Sequence, residues 1–236
     1  MFDRPHHRRI ATVLEALDAQ KLADCECLFG GGTAIALAYG EFRESVDIDF
    51  LVSSLPSYRQ LRQLLTGLEG INALVRPGQA LVQTREVRAD QYGLRTLVKV
   101  DGVQIKLEII LEGRITLDAP LEADKICGLN ALTTLDKATC KLLANSDRWR
   151  DDSVMSRDLI DLAMMQPKPK LLAAATAKAH AAYGDSITTD LMKAIDRLQE
   201  HPHRLDACMQ AMHMTSVAKA VLYKRIRALI PKRVDV

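Results

Sequence analysis

The sequence predicts an α+β fold: a small mixed β-sheet core with flanking helices, followed by an all-α C-terminal helical domain. Three observations carry this. Residues 29–52 read as a glycine turn, a short apolar helix and a strand. Residues 80–88, 94–101 and 103–111 alternate apolar and polar side chains and are rich in Val, Leu and Ile, the period-two signature of half-buried strands. From Ala119 onward only helical patterns follow, which places the expected domains at 1–118 and 119–236.

Taken in order, the first helix is expected over 7–22, with Ile10, Val13, Leu14 and Leu17 at helical spacing. A short strand over 26–29 leads through Gly30–Gly32 into a helix over 33–39, with Gly40 as its C-cap. Strand 46–52 follows, then a helix from Ser53-Ser54-Leu55-Pro56 to Leu68, with proline in the first turn. Asp101-Gly102 is a two-residue hairpin signal between the second and third later strands. In strand 103–111, Val103, Ile105, Leu107 and Ile109 face one way and Gln104, Lys106 and Glu108 the other. The helical half reads as 132–145, 153–165, 170–182, 186–200, 204–212 and 216–230, with Thr215 as the last N-cap.

At 236 residues and 48% hydrophobic content, the chain suits one or two domains. A net charge of +2 gives no global attraction to nucleic acid. Basic residues do cluster at the ends: Arg4, His6, His7, Arg8 and Arg9, then Lys219, Lys224, Arg225, Arg227, Lys232 and Arg233 against Asp235. Solvated helix faces and RNA contacts both stand open as readings. The five cysteines at 25, 27, 127, 140 and 208 form no CxxC pair and no zinc-type spacing. They read as reduced core residues of a cytoplasmic protein. The opening residues lack a signal-peptide pattern. No apolar run reaches the roughly 20 residues of a membrane span.

Asp47-Ile48-Asp49 is the focus of the chemistry. A strand sets alternate side chains on one face, so both carboxylates should point the same way. Adjacent carboxylates repel unless a cation neutralises them, and magnesium is the usual partner of such oxygens. A glycine turn feeding a helix N-terminus binds phosphate through its N–H groups and dipole. No GK[ST] follows the glycines, which excludes a P-loop. Nucleotidyl transfer requires alignment and charge neutralisation, commonly through metal ions held by carboxylates. Glu108 is placed to supply a third metal or base carboxylate; a solvent-facing salt pair is its plainer reading.

Three stretches carry a family resemblance. They are Gly31-Gly32-Thr33-Ala34 through Arg43-Glu44-Ser45-Val46-Asp47-Ile48-Asp49-Phe50, then Ile105-Lys106-Leu107-Glu108-Ile109, then residues 141–148 with Ser156-Arg157-Asp158-Leu159-Ile160-Asp161-Leu162. Over roughly residues 29–165 the chain resembles the DNA polymerase beta-like nucleotidyltransferases, and more narrowly the AbiEii/AbiGii toxin family. The resemblance implies that Gly31, Gly32 and Thr33 cradle a triphosphate. Asp47 and Asp49 would hold Mg2+ (or Mn2+), and Glu108 would fill the third acidic position, where many relatives have Asp. Lys141 would contact phosphate, and Asp158 and Asp161 would lie near the nucleotide, with Lys141 and Asp158 facing the active site. Arg43 and Ser45, just before the metal strand, would bind phosphate or brace the loop. On spacing alone, Lys141 could be a surface lysine, and Asp158 and Asp161 could share a solvated helix face.

The implied activity is magnesium-dependent transfer of a nucleoside monophosphate from an NTP to a hydroxyl. RNA, specifically the tRNA 3′ end, is the implied acceptor, in a toxin–antitoxin or phage-defence system with a cognate antitoxin. A non-catalytic nucleotide- or partner-binding module is the alternative from another class. A transferase acting on a small molecule or protein is a third.

Overall fold

The computed structural model describes residues 2–230. Its contacts define two compact units: Met1–Glu41 with Ser45–Thr134, and Phe42–Glu44 with Leu135–Val236. The composition shift placed the expected boundary after 118, whereas residues 119–134 keep their contacts with the first unit. The Phe29 N–H donates to the Asn130 carbonyl and the Leu132 N–H to the Phe29 carbonyl, both at 2.9 Å.

The first unit opens with α1 (Pro5–Ala16) and α2 (Ala19–Asp24). The single helix expected over 7–22 is split because Leu17 and Asp18 are extended. The Asp18 carboxylate accepts from the Gln20 and Lys21 N–H groups and caps a new helix. Then come β1 (Leu28–Gly30), α3 (Gly31–Ala38), β2 (Ile48–Val52) and α4 (Leu55–Leu65), the last capped by the Ser54 hydroxyl. β3 (Val82–Ala89), β4 (Gly93–Val100) and β5 (Val103–Leu111) complete the sheet.

The strand order is β1-β2-β5-β4-β3. Only β2 and β5 run parallel; every other pair is antiparallel. The Asp101-Gly102 turn joins β4 to β5 as expected, with φ of 48° and 80°, the left-handed geometry of a tight hairpin. One sheet face carries the core. Ile48, Phe50, Leu94, Val98, Ile105, Leu107 and Ile109 pack there with Ile10, Val13, Leu14, Tyr58, Leu61 and Leu74. The other face is left for Asp49 and Glu108.

The second unit is helical: α5 (Thr134–Arg148, entering from the first unit), α6 (Arg157–Met165), α7 (Pro169–Tyr183), α8 (Ser186–Glu200), α9 (Pro202–Ala211) and α10 (Lys219–Arg227). α6 starts later than the expected 153, because Met155 and Ser156 adopt left-handed φ of 53° and 52°. α10 starts at Lys219 with Ala218 as N-cap, so Thr215 does not cap it. Leu142, Leu143, Leu159, Leu162, Ile187, Leu191, Ile195 and Leu222 are buried. None of the five cysteines forms a disulfide. Among the described residues no helix is long and apolar enough to cross a membrane.

Candidate active site

Register across the sheet builds the first half of the site. Gly30 pairs with Asp49, Asp49 with Glu108, and Glu108 with Arg95. Asp49, Glu108 and Arg95 therefore stand side by side on neighbouring strands, away from the core. Burial alternates along the motif, with Asp47 and Asp49 half-buried and Ile48 and Phe50 buried. Asp47 precedes β2 instead of lying within the expected strand 46–52.

Glu108 is ion-paired twice: to Arg95 from the opposite strand and to Lys106 at 2.5 Å from two positions earlier. Burial alone would lower the Lys106 pKa, but Glu108, Asp47 and Asp49 raise it above its ordinary value. The three acids thus share the field of one ammonium group. Among the described residues, no three His, Cys, Asp or Glu side chains are grouped as they stand to hold a metal ion.

Gly31 cannot be replaced freely. Its φ is +66°, and a Cβ there would stand 2.2 Å from Asp49 Oδ2. The carboxylate occupies the space that a side chain would need, at the N-terminus of α3. The N-cap residue is Gly30, which has no side chain to cap it, so the first N–H groups present the partial positive charge of a helix end toward the Asp49 carboxylate. The Thr33 side chain is buried and turned to the neighbouring loop: it is 2.8 Å from Ser45 Oγ and 2.5 Å from the Asp47 carbonyl. A carbonyl can only accept, so the Thr33 hydroxyl donates to Asp47 and the Ser45 hydroxyl donates to Thr33. Thr33 contributes a brace through its side chain, leaving any phosphate contact to the α3 backbone.

The remaining predicted residues meet in the second unit. Arg43 holds Asp161 through two parallel bonds of 2.6 and 2.9 Å. Lys141 Nζ lies 2.7 Å from Asp161 and 2.9 Å from Asp158. Arg148 closes the group with bonds of 2.7 and 3.0 Å to Asp158. Burial alone would raise both aspartate pKa values; for Asp158, Lys141 and Arg148 outweigh it and hold the carboxyl well below the usual range. For Asp161, Arg43 and Lys141 do the same. Lys141 is not a surface lysine: it is buried, and its partners are the two aspartates. Asp158 and Asp161 do share a helix face, but it is a buried one.

The structure therefore gathers Gly31, Gly32, Thr33, Ser45, Asp47, Asp49 and Glu108 in one unit, and Arg43, Lys141, Asp158 and Asp161 in the other. Arg43 and Ser45 both brace. The N-terminal basic stretch is largely engaged: Arg4 donates to the Glu41 carbonyl, His6 contacts the Val46 carbonyl, His7 is buried, and Arg8 is exposed. At the other end Lys219 pairs with Asp206, while Lys232, Arg233 and Asp235 lie outside the described residues. Sequence reasoning missed Arg95 and His7. Arg95 was accessible: the two-residue turn pairs Val100 with Val103, which carries Arg95 opposite Glu108. His7 had no such signal.

A mixed sheet carrying acids on one face, behind a glycine-led helix, fits the nucleotidyltransferase class expected from the sequence. The structure is similar to the crystal structure of JHP933 from Helicobacter pylori, with TM-score 0.53 and 17% identity, covering 98% of this chain and 94% of that one. A second H. pylori structure, of a candidate nucleotidyltransferase, gives TM-score 0.51 and 17% identity over 95% and 93%. At this identity the likeness is one of fold. Comparison with curated proteins found no match. Residues 12–232 match the family described as nucleotidyl transferase AbiEii toxin, type IV toxin–antitoxin system. The chain belongs to this family.

Proposed function

We propose that this nucleotidyltransferase moves a nucleoside monophosphate from an NTP to an RNA hydroxyl, with the tRNA 3′ end as acceptor, and that a cognate antitoxin restrains it. The observation that carries the reading is the Asp49 carboxylate packed against Gly31 at a glycine-led helix N-terminus, with Asp47 two residues before it. A phosphate binder and an acid pair stand within one strand–helix–strand unit.

Mg2+ or Mn2+ suits the donors. Asp47 and Asp49 supply hard carboxylate oxygens, half-buried, and a cation already responds to them in Lys106. Glu108 is held by Arg95 and Lys106, so Asp47 and Asp49 would be the principal ligands. When bound, the ion neutralises charge on the reacting phosphate. The α3 N–H groups orient the triphosphate. The acceptor hydroxyl gives up its proton to solvent as its oxygen bonds to the α-phosphorus, the α–β bridging bond breaks, and pyrophosphate leaves.

Incubation of total RNA with each α-labelled NTP and Mg2+ or Mn2+, followed by sequencing of RNA 3′ ends, tests this. Label in tRNA ends supports the RNA reading. Pyrophosphate release without RNA labelling would move the acceptor to a small molecule or protein. NTP binding without pyrophosphate release would reduce the protein to a binding module.

A further inference from the structure

His7 belongs to none of the matched motifs, yet it is 0% exposed and its ring joins two segments. Nδ1 lies 2.7 Å from Glu41 Oε1, and Nε2 lies 3.0 Å from the Ser45 backbone nitrogen. A backbone N–H can only donate, so Nε2 accepts and carries no proton. The ring proton is then on Nδ1 and donates to the Glu41 carboxylate. Glu41 is fixed in turn by the N–H groups of Asp3 and Arg4.

The surroundings favour this neutral tautomer. Burial pushes the His7 pKa below its ordinary 6.5; Glu41 opposes the shift, and Arg4 and His6 add to it. From Ser45 the bonds continue to Thr33 and on to the Asp47 carbonyl. His6 Nε2 meets the Val46 carbonyl at 3.0 Å. The segment before β2 has no secondary structure, so these side-chain bonds take the place of a ladder in fixing its backbone.

We propose that His7 is a positioning residue for nucleotidyl transfer: it holds the Ser45 peptide and, through Ser45, Thr33 and Asp47, sets the direction in which Asp47 and Asp49 present their carboxylates. The proposal rests on the transferase reading above.

Two uncharged substitutions separate positioning from packing. His7→Gln can place its amide oxygen near the Nε2 position and still accept from the Ser45 N–H. His7→Asn can reach Glu41 but leaves that N–H without its acceptor. We expect His7→Gln to keep kcat within a few-fold of wild type. His7→Asn should lose about tenfold or more in kcat, as supporting hydrogen bonds to metal ligands commonly do, with KM little changed. Amide hydrogen exchange at Ser45 should accelerate in His7→Asn alone. Equal kcat and equal Ser45 exchange in the two variants would overturn the proposal, even if both unfold at a lower temperature. If wild type transfers no nucleotide, the transferase reading fails separately. The Ser45 exchange then still decides whether His7 locks the loop: acceleration confined to His7→Asn supports the lock, and equal rates refute it.

Discussion

Asp161 and Asp49 are both motif aspartates, yet their surroundings are built on opposite lines. Asp161 is fully buried and saturated, with two bonds from Arg43 and one from Lys141. Asp158 beside it has Lys141 and Arg148. Two carboxylates thus face three cations. In the sheet the ratio reverses. Asp47, Asp49 and Glu108 face Lys106, and Arg95 divides itself between Glu108 and Asp90. A saturated, buried group holds structure, because any lost partner strands a charge away from water. A half-buried acid pair that shares the field of one ammonium group with Glu108 is fitted to take up a further cation. Motif membership alone does not separate these roles; burial and charge balance do.

The largest effect expected is on stability. Asp161→Ala takes from Arg43 its two-bond carboxylate partner and leaves Lys141 with Asp158 alone, and should cost about 3–5 kcal/mol, read from urea unfolding followed by Trp149, the single tryptophan. A shift of the midpoint too small to resolve would erase the contrast drawn above. Asp49→Asn should act oppositely, lowering nucleotidyl transfer at least about 100-fold while leaving the urea midpoint in place. Gly31→Ala should affect both, because it meets the φ of +66° and the Asp49 oxygen; we expect a loss of about 1–3 kcal/mol together with reduced transfer.

Acid gives a further test. Asp158 and Asp161 have folded pKa values lowered from the ordinary 3.8. Their contribution is present above the unfolded pKa and is lost as pH falls below it. Stability of the wild type should therefore drop below about pH 4, and Asp158→Asn should flatten that drop. Smallest of all, Arg148→Gln should cost about 1 kcal/mol or less, because the Arg148 side chain is 43% exposed and Asp158 keeps Lys141.

Much of this was legible in the sequence. The Asp101-Gly102 hairpin, the buried face of β5 and the acids opposite it follow from period-two patterning, which depends on neighbours in the chain. Gly31 and Asp49 were legible as a motif, although their close contact was not. What escaped depends on pairs far apart in sequence. His7 meets Glu41 and Ser45 across 34 and 38 residues, and Arg43 meets Asp161 across 118. No local spacing encodes such pairs, so the ion-pair network of Arg43, Lys141, Asp158 and Asp161 was not legible. The split of the first helix at Asp18 shows the same limit in reverse: a strong apolar period overrode a local capping residue that the fold uses.

The most direct test is pyrophosphate release from γ-labelled NTP in the presence of total RNA, measured side by side for wild type, Asp47→Asn and Asp49→Asn, with unfolding midpoints recorded for all three. Wild type should release pyrophosphate in the presence of Mg2+ or Mn2+, and both variants should lose at least about 100-fold at unchanged midpoints. Equal release from wild type and Asp49→Asn would contradict this.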